Sequence, residues 1–494
     1  MKPMVIRSRR YRSFIVLGLL SAISILGYIS ASYLIFRPGF PLDDAWIHQT
    51  YARNLAFNGE WAFIPGQPSA GSTAPLWSGI LSLGYWLRLG PYVWVYCLGW
   101  AILLTIGLLA GWTFRFLQPE DEFDGFIVGL FLIFEWHLVW AAVSGMETLL
   151  FALIILGVLT YLLKNRINWL ALGLLLGLAV WIRPDGLTLV GPALLVLYVS
   201  YRNWRERFSA AVRLGVGILL LFVPYLAFNF MLSGSIWPNT FFAKQAEYAV
   251  LRQTPLTMRF LSQAALPLVG AGALLAPGFL TLLFKAIRSR AWKVLAGVFW
   301  FLGYLLIYAL RLPVTYQHGR YIMPAMPIYF VWALAGMVSW LELSTPNVWK
   351  RVLSRAWAAS TSLILVAFWF IGAKAYGQDV AIIETEMVDT ARWIADNTPK
   401  EAFIAAHDIG ALGYFGRHRL LDLAGLVSPE VIPYIRDEQR LEVFLDHHEV
   451  DFLVTFPGWY PYLVTHGQLI HQGEGIFSVL QGGENMAVYR WKIH

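Results

Sequence analysis

Apolar runs alternate with short polar breaks along the first three quarters of the chain, and the alternation stops near residue 377. The runs lie near 13–36, 92–116, 125–142, 146–163, 167–183, 186–201, 210–232, 258–285, 291–310, 322–341 and 356–376. A helix needs roughly 20 apolar residues to cross a bilayer, and the shorter runs need tilt or partial burial. The pattern predicts about eleven membrane-spanning helices. The stretch 75–90 is read as a re-entrant or surface helix of the first outer loop, about 37–91, because an extra crossing there would break the alternation of faces. After 377 the texture changes. Residues 384–396 predict an amphipathic helix, and Phe403-Ile404-Ala405, Phe452-Leu453-Val454 and Met486 to Trp491 predict short buried strands. Two units follow: residues 1–376 in the membrane, and a soluble α/β domain over 377–494.

Composition supports that division. The 494 residues are 58% hydrophobic and only 14% charged, against roughly 25% charged in soluble domains. The 23 Trp and 23 Tyr suit many interfacial crossings. The net charge of +7 is therefore a topology signal and implies no nucleic-acid partner. Lys2, Arg7, Arg9, Arg10 and Arg12 precede the first run and place the N-terminus inside. The basic breaks Lys164 to Arg166, Arg202 to Arg207, Lys285 to Lys293 and Lys350 to Arg355 fall on the same side. The acidic loop Gln118 to Asp124 must also lie inside, where acidic residues weigh little. The alternate loops and the C-terminal domain then lie outside. The single cysteine, Cys97, excludes an intrachain disulfide and a Cys-based metal site.

The chemistry-bearing residues collect in the outer loops. Asp43 and Asp44 follow the first span, and paired carboxylates at a bilayer edge are costly unless they work. They suit a general base with a partner, or a divalent cation site. The competing reading is an N-cap for a helix over 44–57. Glu147, in Ser144-Gly145-Met146-Glu147-Thr148, is either a first-turn acid on a helix dipole or a site residue. In Arg183-Pro184-Asp185-Gly186 the Pro-Asp-Gly part is turn chemistry, while Arg183 either snorkels or binds phosphate. Lys244 and Arg320 are two further outer cations in apolar surroundings. Three cations on the carboxylate side suit an anionic lipid headgroup beside an acid/base centre. His407-Asp408-Ile409-Gly410 reads as an ordinary strand-to-helix connection, since its glycine spacing is not that of a dinucleotide loop.

The order of these motifs resembles one known family. Leu42-Asp43-Asp44-Ala45-Trp46, Tyr51-Ala52-Arg53-Asn54, Asn58-Gly59-Glu60 and Gly71-Ser72-Thr73-Ala74-Pro75-Leu76-Trp77 look like the first outer loop of GT-C-fold glycosyltransferases. Ser144 to Thr148, Arg183 to Gly186, Pro238-Asn239-Thr240-Phe241-Phe242-Ala243-Lys244, His318-Gly319-Arg320-Tyr321 with Pro324, and Asp408 to Tyr414 follow in the order of a bacterial branch. That branch includes the mycobacterial terminal arabinofuranosyltransferases. The resemblance implies an inverting glycosyltransferase on the outer face of a bacterial cytoplasmic membrane. Its donor would be a polyprenyl-phosphate sugar and its acceptor a cell-envelope glycan, lipid or protein. It matches the family's catalytic Asp to Asp44, with Asp43 beside it. Arg320, Lys244, Arg183, Glu147, His318, Tyr321 and Asn239 are the candidate substrate-binding residues. The lysine of the related aminoarabinose transferases is replaced by Thr73-Ala74-Pro75, so other cations must hold the donor phosphate. A transporter or lipid-sugar flippase is the alternative, and it expects repeats and mid-membrane charges that this chain does not display.

Overall fold

Residues 2–119, 125–341, 345–416 and 418–491 are described by a computed structural model, and the chain is predominantly helical. The acidic part of the loop Gln118 to Asp124 lies outside the described residues. Each expected apolar run is helical. Among the described residues six helices are long and apolar enough to cross a membrane, or eight if each of two bent pairs is one span. Three shorter apolar helices accompany them, Thr148–Leu162, Trp169–Ile182 and Pro184–Ser200. The expected single run 258–285 is instead two helices bent by 109°. Pro267 and Gly270, whose φ is +87°, account for the break.

Helix contacts inside the membrane part rely on small residues, because lipid offers no hydrophobic drive for association. At the crossing of Trp169–Ile182 with Trp204–Ser233, a Cβ on Gly173 would stand 2.3 Å from the Leu214 carbonyl oxygen, so only glycine fits. Outward positions such as Leu219, Leu220 and Val223 remain exposed, as a lipid-facing surface requires.

The loop between the helix ending at Ile35 and the helix starting at Pro91 holds the helix Asp44–Asn58, the hairpin β1 (Ala62–Ile64) and β2 (Gln67–Pro68), and the helix Pro75–Trp86. The last of these is too short to cross, as expected for 75–90. Gly59, with φ +70°, ends the first helix in the left-handed conformation.

The C-terminal domain is a five-stranded sheet of order β4-β3-β5-β7-β6. Its strands are β3 (Phe403–Ala406), β4 (Arg419–Asp422), β5 (Phe452–Thr455), β6 (Gly467–Gln472) and β7 (Ala487–Trp491). β3 pairs parallel with β4 and β5, while β7 runs antiparallel to both β5 and β6. The helix Val348–Ile382 does not stop at 377. It continues through a wide π turn, Ile383–Val388, into Asp389–Asn397. Arg37, just past the first span, donates to Glu384 at 2.7 Å and to Asp389 at 2.7 Å and ties that junction to the outer loop.

Candidate active site

A cavity of about 780 Å³ lies between the two parts of the chain. The membrane part contributes Asp43, Asp44, Lys244, Glu247 and Arg320, and the C-terminal domain contributes His407, Asp408, Trp459 and Tyr460. The sheet explains the second group. His407 and Asp408 follow the carboxyl end of β3, and residues 456–460 follow that of β5. Neighbouring parallel strands open a crevice at their carboxyl ends, and here that crevice faces the first outer loop.

The paired carboxylates have different jobs. Asp43 makes no side-chain cap bond to the helix that follows it. Its Oδ2 accepts from Gly410 N–H at 2.6 Å and its Oδ1 from Ala411 N–H at 2.8 Å. It therefore caps a helical turn of the other domain and fastens the two parts together. A Cβ at Gly410 would sit 2.1 Å from the Asp43 carbonyl oxygen, so this approach requires glycine. Burial and the nearby Asp408 carboxylate push Asp43 up to about 8, against the two amide donors that favour its ionised form. Both Asp43 oxygens are thus engaged by backbone amides. Among the described residues no group of three or more His, Cys, Asp or Glu is placed to hold a metal ion.

Asp44 opens the helix Asp44–Asn58, and its side chain is 30% exposed, onto the cavity. Its Oδ2 meets Arg320 Nη2 at 2.8 Å. Burial alone would raise this carboxyl, but Arg320 and Lys244 outweigh it and hold Asp44 well below the usual carboxylate range. Arg320 is buried, and its Nη2 also donates to Tyr321 Oη at 3.0 Å. Its Nε and Nη1 are buried with no hydrogen-bond partner. Lys244, in the helix Asn239–Glu247, lies 3.5 Å from Glu247. Glu247 in turn lies 3.6 Å from His407 Nε2, and His407 Nδ1 bonds Tyr460 Oη at 2.9 Å.

The other sequence candidates lie away from this cavity. Arg183, expected to snorkel or bind phosphate, spends its charge on Glu147 at 2.6 Å and Asp185 at 3.1 Å. Glu147 is fully buried and also stands 3.4 Å from His48. It makes no side-chain cap bond to the helix it precedes. His318 pairs with Asp379 at 2.8 Å between the rings of Trp136 and Trp140, although its neighbour Gln317 lines the cavity. Asn239 donates to the Leu426 carbonyl at 3.4 Å and serves domain contact. Tyr321 does not line the cavity but accepts from Arg320 Nη2 at 3.0 Å. Glu247, His407 and Asp408 were missed as site residues. The strand-end rule applied to Phe403-Ile404-Ala405 was the available signal, but His407-Asp408 reads locally as a turn.

A family model described as a domain of unknown function (DUF8728) matches residues 373–489. No curated protein matches the chain. Solved structures do. ArnT from Cupriavidus metallidurans in the apo state aligns with TM-score 0.59 and 17% identity, over 97% of this chain and 98% of that one. The archaeal oligosaccharyltransferase AglB from Archaeoglobus fulgidus, in complex with an inhibitory peptide and a dolichol-phosphate, gives TM-score 0.62 and 12% identity over 91% and 70%. The mycobacterial arabinofuranosyltransferase AftD gives TM-score 0.50 and 16% identity, over 97% of this chain and 41% of AftD. At these identities the likeness defines the fold. The chain is a multi-pass membrane protein of the GT-C fold with a C-terminal α/β domain.

Proposed function

We propose that this protein is a glycosyltransferase that takes a sugar from a polyprenyl-phosphate donor and passes it, with inversion, to a cell-envelope acceptor on the outer face of the membrane. The observation that carries the reading is Arg320. A buried guanidinium with two unpartnered nitrogens, beside Lys244 and open to a cavity, is a costly arrangement without an anion. A lipid phosphate supplies one, with acceptor oxygens matched to the guanidinium fork. The fold likeness supports the same ligand class, since a further ArnT structure is bound to undecaprenyl phosphate, at TM-score 0.58 and 15% identity.

The chemistry fits. The leaving group gains negative charge as the bond from the sugar's anomeric carbon to the phosphate oxygen lengthens, and Arg320 and Lys244 are poised to stabilise it. Asp44 lies beside them, where positive charge grows on the sugar. When Arg320 turns to the phosphate, the Asp44 carboxylate is released toward the anomeric carbon. Single displacement needs no covalent intermediate and no second carboxylate acting as nucleophile. Basic-loop asymmetry supports an N-terminus in the cytoplasm and the cavity outside.

The test is binding of undecaprenyl phosphate to the full chain in detergent. Charge-assisted bonds to phosphate contribute about 1.5–3 kcal/mol each, so Arg320→Ala is expected to weaken binding by ten-fold or more. Equal affinity of wild type and Arg320→Ala, or no binding by wild type, would reject the reading.

A further inference from the structure

We infer that Asp408, in the C-terminal domain, is the residue that takes the proton from the acceptor in the transfer reaction; this rests on the glycosyltransferase reading above. The sequence nominates Asp44 for that role, but the carboxylates at the cavity are not equivalent. Asp43 has both oxygens bound by backbone N–H groups of Gly410 and Ala411. Asp44 is ion-paired with Arg320 at 2.8 Å, on the side where the donor phosphate would sit. Glu247 stands 3.5 Å from Lys244 and 3.6 Å from His407, and Glu438 accepts from the backbone N–H groups of Tyr462 and Leu463. Asp408 lines the same cavity and is half-buried, and its Oδ2 has neither a hydrogen-bond partner nor a cation in contact.

Its position follows from the sheet. The parallel strands β3 and β5 aim their carboxyl ends at the cavity, and Asp408 stands two residues past the end of β3, the middle strand of the parallel trio β4-β3-β5. Trp459, half exposed and packed edge-on at 5.0 Å from the His407 ring, forms the adjoining wall. An acceptor in the cavity therefore meets a wall supplied by the C-terminal domain. A carboxylate in a water-poor cavity without a donor of its own keeps a lone pair for an incoming hydroxyl.

The step balances as a displacement. The acceptor oxygen bonds to the anomeric carbon while the bond from that carbon to the phosphate oxygen breaks. The hydroxyl proton moves to the Asp408 carboxylate, the bonding pair leaves with the polyprenyl phosphate, and the proton passes to solvent. The groups facing Asp408 come from every side: His407 on its own loop, Tyr460 after β5, Asp43 and Asp44 from the first outer loop, and Lys244 and Glu247 from the helix Asn239–Glu247. Burial raises Asp408, His407 and Lys244 oppose the rise, and Asp44 and Glu247 add to it, leaving it at about 6. A base with that value is deprotonated above about pH 6, so turnover falls as pH drops through it.

The experiment uses full-length protein in detergent with a panel of undecaprenyl-phosphate-linked pentoses and hexoses, water as acceptor, and release of undecaprenyl phosphate as readout. Asp408→Asn is expected to lower kcat by about 10²–10⁴-fold and to abolish the fall in rate below pH 6. It should bind undecaprenyl phosphate within two-fold of wild type, which also shows that it is folded. Asp408→Glu should recover part of the rate with a displaced acid limb. If Asp408→Asn turns over within three-fold of wild type, or if the acid limb disappears in Asp44→Asn and persists in Asp408→Asn, the assignment is overturned while the donor reading stands. If wild type neither binds undecaprenyl phosphate nor turns over any donor, both fall.

Discussion

Two charge clusters of this molecule each pair an arginine with carboxylates. In one, Arg320 faces Asp44 with Lys244 beside them. In the other, Arg183 faces Glu147 and Asp185, with His48 behind Glu147. The second lies off the cavity and is paired within itself, although Arg183 and Asp185 are only half-buried. His48 continues inward to Ser78 at 3.0 Å and Ser72 at 3.3 Å, all of them buried. The first opens on a cavity and leaves two guanidinium nitrogens without partners. A network whose charges pair with one another specifies how helices meet, whereas one facing a cavity waits for a ligand. The difference lies in what faces the charges, not in the charges themselves.

The largest separation between the clusters is expected from Asp44→Asn. Asn keeps the size and caps a helix about as well as Asp, so the fold should persist. Loss of a preorganised charge at a developing transition state costs about 10²–10³-fold in rate. The measurement is donor turnover against the amount of monodisperse protein. Turnover within three-fold of wild type would show that the open cluster does not act on the reacting sugar. The next effect belongs to the second cluster. Glu147→Ala removes the fully buried partner of Arg183 and leaves it Asp185 at 3.1 Å, and breaking a buried pair costs up to about 3–5 kcal/mol of stability. It should appear as a lowered unfolding temperature, with undecaprenyl phosphate affinity in the folded fraction unchanged. A folded, stable Glu147→Ala protein that has lost lipid-phosphate binding would reverse the roles of the two clusters.

Sequence reading went furthest where the cause was local. Apolar runs produced the helices, and Phe403-Ile404-Ala405 and Phe452-Leu453-Val454 fall on β3 and β5. The strands β4 and β6 were not legible, because Arg419–Asp422 is only four residues and Gly467–Gln472 alternates weakly. Asp44, Arg320 and Lys244 do converge, as the cations on the carboxylate face implied. Arg183 could not be told from them, since its buried partner Glu147 lies 36 positions away. The capping role of Asp43 was anticipated for the wrong helix. It is separated from Gly410 by 367 positions, a distance that no local pattern spans. For the same reason Asp408 looked like a turn residue until the sheet placed it at the cavity.

The smallest expected effect concerns the contact by which the C-terminal domain reaches Lys244. His407 Nε2 lies 3.6 Å from Glu247 Oε1. Burial alone would lower His407, but its bond to Glu247 and the Asp408 charge leave it raised. Burial alone would raise Glu247, but His407 and Lys244 bring it down to about 2. A raised histidine contributes stability that is fully present below its unfolded value, about 6.5, and lost as pH rises through its folded one. A depressed glutamate contributes stability present above its unfolded value, about 4.3, and lost as pH falls through its folded one. Both contributions are complete only between about pH 4.5 and 6.5. Glu247→Gln should therefore lower the unfolding temperature most in that window and less as pH rises beyond it, by an amount equivalent to about 1 kcal/mol or less. Lys244 stays charged throughout, so its loss of Glu247 adds a constant and leaves the pH-dependent part to His407. A difference between wild type and Glu247→Gln that is flat from pH 5 to 9 would mean that His407 is not held as a cation. The open cluster would then end at Glu247, on the membrane side of the cavity, with the C-terminal domain seated by Asp43 and its neighbours alone.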